Sequence, residues 1–194
     1  MKGTKFFALA LFSTAFLSFT PINKKYIVID AGHGGNDMGA VRNDISEKNI
    51  VLNIGKEIQK FNHTQDKYEI ILTRDNDSYI KLADRTDLIN KLNPEMVISL
   101  HINSSPQPES TQQGQEIFTQ NSEGSKSLAG KISQKFTPSS IIEQKNLHLL
   151  RESKAPTVVV ELGYLNNTKE REYLTSEKGQ KEIAQKFVEI FNEY

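Results

Sequence analysis

Three apolar, β-branched runs in this sequence break off at residues that carry chemistry, and no other feature restricts the fold as tightly. Tyr26-Ile27-Val28-Ile29 stops at Asp30-Ala31-Gly32-His33-Gly34-Gly35, which reads as a buried strand delivering one imidazole onto a glycine-rich turn. Glu95 to Leu100 runs into His101, and Thr157 to Val160 runs into Glu161 and then Gly163. If these strands lie parallel in one sheet, their carboxyl ends share the edge at which open α/β sheets place ligands. Two histidines and a carboxylate then meet there. That donor set suits a catalytic zinc that keeps one coordination position open for water. A single histidine at a strand end is more often a hydrogen-bonded structural residue. The coincidence of three strand ends is what favours a site.

The segments between these runs have the period of helices. Ser46 reads as the N-cap of a helix with Ile50, Ile54, Ile58 and Phe61 on its apolar face. Glu47 falls in the first turn, where the helix dipole alone favours a carboxylate, yet the same placement faces the loop carrying His33 and offers a third ligand. A strand over Tyr68 to Thr73 leads into Arg74-Asp75-Asn76-Asp77 and a helix containing Leu82, Arg85, Thr86, Ile89 and Leu92, stopped by Asn93-Pro94. For Arg74 and Arg85 the expected use is an ion pair with Asp75 or Asp77, ahead of binding a peptide carboxylate. Ser104 to Gln113 is a polar loop at the rim of the site, and residues 36–45 are polar and glycine-containing. Gly114 to Thr119 alternates as a strand does, and Leu128, Ile132 and Phe136 mark a helix. Pro138 to Arg151 has no clear period. Two helices close the chain, a short one around Lys169 to Leu174 and a longer one with Ile183, Phe187, Ile190 and Phe191 on its buried stripe. The alternation predicts an α/β fold: one domain, with a largely parallel or mixed sheet flanked by helices on both faces.

Composition narrows the chemistry. With 194 residues the chain fits one globular domain, and 24 basic against 24 acidic residues leave no net field to draw nucleic acid. Cysteine is absent, so any metal must be held by His, Asp and Glu. Lys2 and Lys5 precede the apolar run Phe6 to Phe19, which reads as an export signal over residues 1–22, with the folded domain over residues 24–194. Small residues at Ser13-Thr14-Ala15 and Ser18-Phe19-Thr20 leave the cleavage point open, and an uncleaved anchor is the competing reading.

DAGHGG, SEKN, LTRDND with Leu82 and Arg85 after it, ISLHINS and VELGYLNN occur in this order. Together they resemble the zinc-dependent N-acetylmuramoyl-L-alanine amidases of the bacterial cell wall, the family often called Amidase 3. The likeness spans nearly all of Tyr26 to Tyr194, and five weak motifs at fitting spacing make it specific. The resemblance implies a zinc held by His33, Glu47 and His101, with Glu161 as the catalytic carboxylate. It implies peptidoglycan as substrate, action in the periplasm or cell wall, and a monomer that takes a protein activator or a septal targeting partner. Glu161 has a structural alternative, an ion pair with Arg151. Asp30 either orients His33 by accepting its second N–H or caps the turn, and Asn103 is a candidate substrate contact. His63 and His148 lie outside every motif and read as structural. Against the family pattern, the stretch from His101 to Glu161 looks compact, without the insert that occludes the zinc in some relatives. Residues 138–146 look shortened, and wall-binding repeats are absent. Two rival functions remain, a non-catalytic wall-binding module and a metallo-peptidase cutting within the stem peptide.

Overall fold

The computed structural model describes residues 25–63, 67–144 and 146–194; the expected export signal, residues 1–22, lies outside them. The chain enters on β1 (Lys25–Ala31), makes a two-stranded hairpin from β2 (Val41–Arg42) and β3 (Ile45–Ser46), and continues into α1 (Glu47–Asn62). Next come β4 (Tyr68–Leu72), α2 (Leu82–Leu92), β5 (Met96–Asn103), β6 (Gln115–Thr119), α3 (Glu123–Lys135) and β7 (Ser139–Glu143). The chain ends with α4 (His148–Glu152), β8 (Thr157–Tyr164), α5 (Thr168–Thr175) and α6 (Glu177–Glu193). Six strands form one sheet in the order β4-β1-β5-β8-β6-β7. It is mixed: β6 runs antiparallel to β8, and every other neighbouring pair is parallel. β1, β5 and β8 therefore lie side by side and point the same way.

Side-chain alternation divides the core. Ile27, Ile29 and Ala31 of β1, Met96, Ile98 and Leu100 of β5, and Val158 and Val160 of β8 face the layer built from α1, α3 and α6. Ile54 and Ile58 of α1 and Phe187 and Phe191 of α6 are fully buried there, each stabilising the fold by about 1.5–3 kcal/mol. The opposite face is thinner. Val28 and Val97 meet Ile89 of α2 and Leu149 near the start of α4. Asp30, Ser99, His101, Val159 and Glu161 share this second parity, so the site lies on the thin face where its strands run on past the cover of α2 and α4.

Several local expectations change. Residues 36–45 contain a hairpin: Asn43 and Asp44 both adopt positive φ, 49° and 62°, as a type I′ turn requires. Ser46 stands at the N-cap of α1, yet its hydroxyl makes no capping bond. Ser46 is instead a strand residue paired with Val41, and the first amides of α1 donate to Ala40 O and Met38 O. In the stretch without a period, β7 is an edge strand on which both Ile141 and Ile142 stay exposed, so its sequence has no buried row to reveal it. His101 and Glu161 are not the last residues of their strands, since pairing runs on to Asn103 and Tyr164 through a bulge at Gly163.

Candidate metal centre

His33, Glu47 and His101 arrive from three segments at one point beyond β1 and β5. His33 sits just past β1 with φ 60°, a left-handed conformation unusual for a side chain with a Cβ. Its ring Nδ1 lies 2.9 Å from Asp37 Oδ1, so Nε2 faces inward. Glu47, in the first turn of α1, is almost fully buried; its Oε2 accepts from Ala40 N (2.8 Å) and its Oε1 from Ile102 N (2.9 Å). His101 projects from β5. Gly39 permits the meeting: its φ is +63°, and a Cβ there would lie 2.4 Å from Glu47 Oε2 and 2.7 Å from His33 Cδ2.

The inward atoms form a near-equilateral triangle. His33 Nε2 is 3.0 Å and His101 Nδ1 is 2.9 Å from Glu47 Oε1, and the two nitrogens are 3.2 Å apart. Ligands about 2.0–2.1 Å from a tetrahedral ion have edges of about 3.3 Å, so three such corners are in place. Without an ion, protons hold the cluster together. Burial works against a charged His33, but its hydrogen bonds to Glu47 and Asp37 win and carry it up to about 9. Burial likewise opposes the charge on Glu47, and the bonds from His101 and His33 outweigh it and hold Glu47 well below the usual carboxylate range. His101 is raised, because Glu47 overcomes its burial. A cation arriving here replaces protons on groups already arranged around a carboxylate.

Glu161 stands beside the triangle, in register with His101 across β5 and β8. Its Oε2 is buried with no hydrogen-bond partner, and burial, reinforced by the nearby Glu47 and Glu116, pushes it up to about 7. Arg151 is committed to Glu152, so the ion pair weighed for Glu161 is not made. On its other side Glu161 is in register with Glu116 of β6, whose carboxylate accepts from Tyr164 Oη (2.8 Å) and Asn103 Nδ2 (3.0 Å). Asn103 therefore reaches the wall of the site with its amide already engaged. The bulge in β8 makes this cluster possible, because one extra residue turns Tyr164 onto the face that Glu161 occupies.

Asp30 does not reach the His33 imidazole; the carboxylate beside its Nδ1 is that of Asp37, at 2.9 Å. Asp30 accepts from Ser99 Oγ (2.6 Å), Thr73 Oγ1 (2.7 Å) and Arg85 Nη1 (2.6 Å), all buried. The expected pairing of the arginines with Asp75 or Asp77 is also absent. Arg85 donates to Ala31 O and His33 O, and Arg74 to Ala31 O, Gly32 O and Lys48 O, so two guanidiniums hold the carbonyls of the turn. The partner of Asp77 is Lys48 Nζ, at 2.7 Å. The rim loop is tied down as well: Asn166 Nδ2 donates to Ser105 O and Gln107 O, and Asn167 Nδ2 to Ser110 O and Gln112 O. His63 is exposed at the end of α1, and His148 lies 3.4 Å from Thr86 Oγ1; among the described residues neither belongs to a group of three metal donors. Sequence reasoning missed Asp37, Glu116, Tyr164 and Lys48. Tyr164, inside the VELGYLNN run, and Lys48, inside SEKN, lay in segments already singled out.

Comparison with known proteins points to one family. A family model described as N-acetylmuramoyl-L-alanine amidase matches residues 27–192. The catalytic domain of CwlV, an N-acetylmuramoyl-L-alanine amidase from Bacillus (Paenibacillus) polymyxa var. colistinus, superposes with a TM-score of 0.81 at 34% identity, over 88% of this chain and 97% of that one. The CwlD amidase from Clostridioides difficile, solved in complex with the GerS lipoprotein, gives 0.80 at 28% identity, over 88% and 98%. The probable cell wall amidase LytH of Staphylococcus epidermidis is 28% identical over 186 residues, 92% of this chain and 61% of the relative, so the chain spans about three fifths of that protein.

Proposed function

The chain belongs to the N-acetylmuramoyl-L-alanine amidase family, and we propose that it hydrolyses the amide joining the lactyl carboxyl group of N-acetylmuramic acid to L-alanine in peptidoglycan. The observation that carries the reading is the triangle of His33 Nε2, Glu47 Oε1 and His101 Nδ1 with the unpartnered, buried Oε2 of Glu161 beside it. His33, Glu47 and His101 would hold the metal, which we take to be zinc because the donors are two imidazoles and one carboxylate. A zinc bound there supplies polarisation of the scissile carbonyl and acidification of a water. The chain's own residues do the rest. Glu161 Oε2 accepts the proton of the attacking water and passes it to the departing nitrogen of L-alanine, so that the peptide leaves as a neutral amine. Burial keeps Glu161 ready to accept, and the in-register pairing with His101 fixes its place beside the metal-binding side chains. Asp37 orients His33, and the Ile102 and Ala40 amides orient Glu47.

This reading extends to context. The basic start and the apolar run Phe6 to Phe19 support export to the periplasm or wall, and fractionation of cells should find the protein there. The lipoprotein complex of the CwlD amidase supports a protein partner for this catalytic domain too. Product analysis tests the chemistry. Free glycan strands and intact peptides beginning in L-alanine are the expected products. Shortened peptides would indicate a peptidase instead, and no products a wall-binding module.

A further inference from the structure

The surface beside His33 is apolar in a way the chemistry above does not use. Among the described residues, four of the seven large hydrophobic side chains that stay exposed, Met38, Val41, Tyr79 and Leu82, belong to the two segments flanking the His33 turn. Tyr79 is 56% exposed. Its loop is nevertheless held rigidly. Asp77 Oδ1 accepts from Gly35 N at 2.8 Å while Oδ2 takes Lys48 Nζ at 2.7 Å. Arg74 Nη1 donates to Asn76 O (3.1 Å) and Arg85 Nε to Ile80 O (3.0 Å), so the guanidiniums that fix the turn also fix this loop. Contact is close enough that a Cβ on Gly34 would lie 2.2 Å from Ser78 O. An aromatic ring displayed on an immobilised loop loses little entropy when a ligand covers it.

Topology says which part of a substrate passes here. Resting on the amidase reading, Glu161 must reach the leaving nitrogen, so the peptide departs over β8 and β6. The acyl side of the same carbonyl then points the other way across the sheet, over β1 and toward the loop that follows β4. That side carries the sugar. We propose that Tyr79, flanked by Leu82, is a saccharide-binding platform that takes the apolar face of a pyranose ring of the glycan strand, with the phenol hydroxyl free to bond its polar edge.

The test uses the full chain and two probes: soluble, peptide-free strands of alternating N-acetylglucosamine and N-acetylmuramic acid, and the free peptide L-Ala-D-Glu-L-Lys. Titration calorimetry on zinc-loaded protein should show Tyr79→Ala weakening the glycan about tenfold and Tyr79→Phe changing it by less than about threefold, with peptide affinity unaltered in both. Equal glycan affinity in Tyr79→Ala, no glycan binding by the wild type, or a loss confined to the peptide probe would each overturn the assignment. Melting temperatures separate misfolding from lost contact; if Tyr79→Ala unfolds, Tyr79→Leu, which keeps bulk but no ring, must show the same tenfold loss. Release of L-alanine peptides from walls by the wild type tests the amidase reading separately, so failure of one does not pass for failure of the other.

Discussion

Replacing Arg85 by methionine keeps most of the side-chain volume and removes the only cation among the described residues that pairs with Asp30. Both partners are buried, at 3% and 2% exposure, and the guanidinium also donates to Ala31 O, His33 O and Ile80 O. Breaking a buried pair from one side costs about 3–5 kcal/mol, because the other charge stays behind unpaired. Against a total stability of about 5–15 kcal/mol that is a large loss, and for a domain of this length it lowers the melting temperature by about 6–20 °C. The sign of its pH dependence follows from Asp30. Burial resists the charge on Asp30, but Arg85, Ser99 and Thr73 prevail and hold its pKa below the ordinary value. In the wild type Asp30 therefore contributes stability that is present above about pH 4 and lost as pH falls further. In Arg85→Met the cation is gone, the carboxyl group titrates higher, and the gap between variant and wild type narrows as pH is lowered. Urea denaturation at several pH values measures this, with Arg85→Met/Asp30→Asn as the companion. The double variant should be more stable than Arg85→Met at pH 7, since it buries no orphan charge. A single variant within about 1 kcal/mol of wild type, or a double variant no better than the single, would refute the reasoning.

Alanine at His33, Glu47 or His101 should greatly weaken zinc binding, read by metal analysis after dialysis; full occupancy in His101→Ala would remove that residue from the site. Glu161→Gln keeps shape but not basicity, so zinc should stay bound while muropeptide release falls about 10²-fold or more. Near-normal release by a folded, zinc-loaded variant would end the assignment of Glu161. In metal-free protein the raised His33 contributes stability that is full below about pH 6.5 and fades as pH rises through about 9. Zinc competes with those protons, so its affinity should climb over the same range, and thermal melts of stripped and loaded protein between pH 6 and 10 should diverge; parallel curves would contradict the proton-held cluster.

Much of this was legible because strands with uninterrupted apolar runs announce themselves. His33, His101 and Glu161 follow such runs, and the sheet's parallel centre brings them together. Glu47 was harder, since a carboxylate in the first turn of a helix has a sufficient local reason to be there. Distinguishing the two uses takes the hairpin β2–β3, which sets the start of α1 and was signalled only by Asn43-Asp44. Asp30 and Asp37 exchanged roles because proximity in sequence is a poor guide at the end of a strand. Asp30 still lies within β1 and points into the thin core, whereas Asp37 returns under His33 through the paired amides of Gly34 and Asp37. Glu116 gave no signal: its meaning depends on β6 running antiparallel beside β8, and that is a property of long-range pairing rather than of any local run.

The unequal layers on the two sides of the sheet divide the protein's tolerance to change. Along β5, Ile98, Leu100 and Ile102 look into the thick layer while Ser99, His101 and Asn103 look away from it, and in β8 Val158, Val160 and Leu162 alternate in the same manner with Val159 and Glu161. Neighbours along the chain thus answer to different demands. Away from the first turn of α1, which carries Glu47, repacking among α1, α3 and α6 can raise or lower melting temperature through side chains that do not face the reacting groups, whereas the intervening positions are held by geometry. A drifting or engineered lineage can therefore adjust its working temperature on one side of the sheet while its chemistry on the other stays as it was.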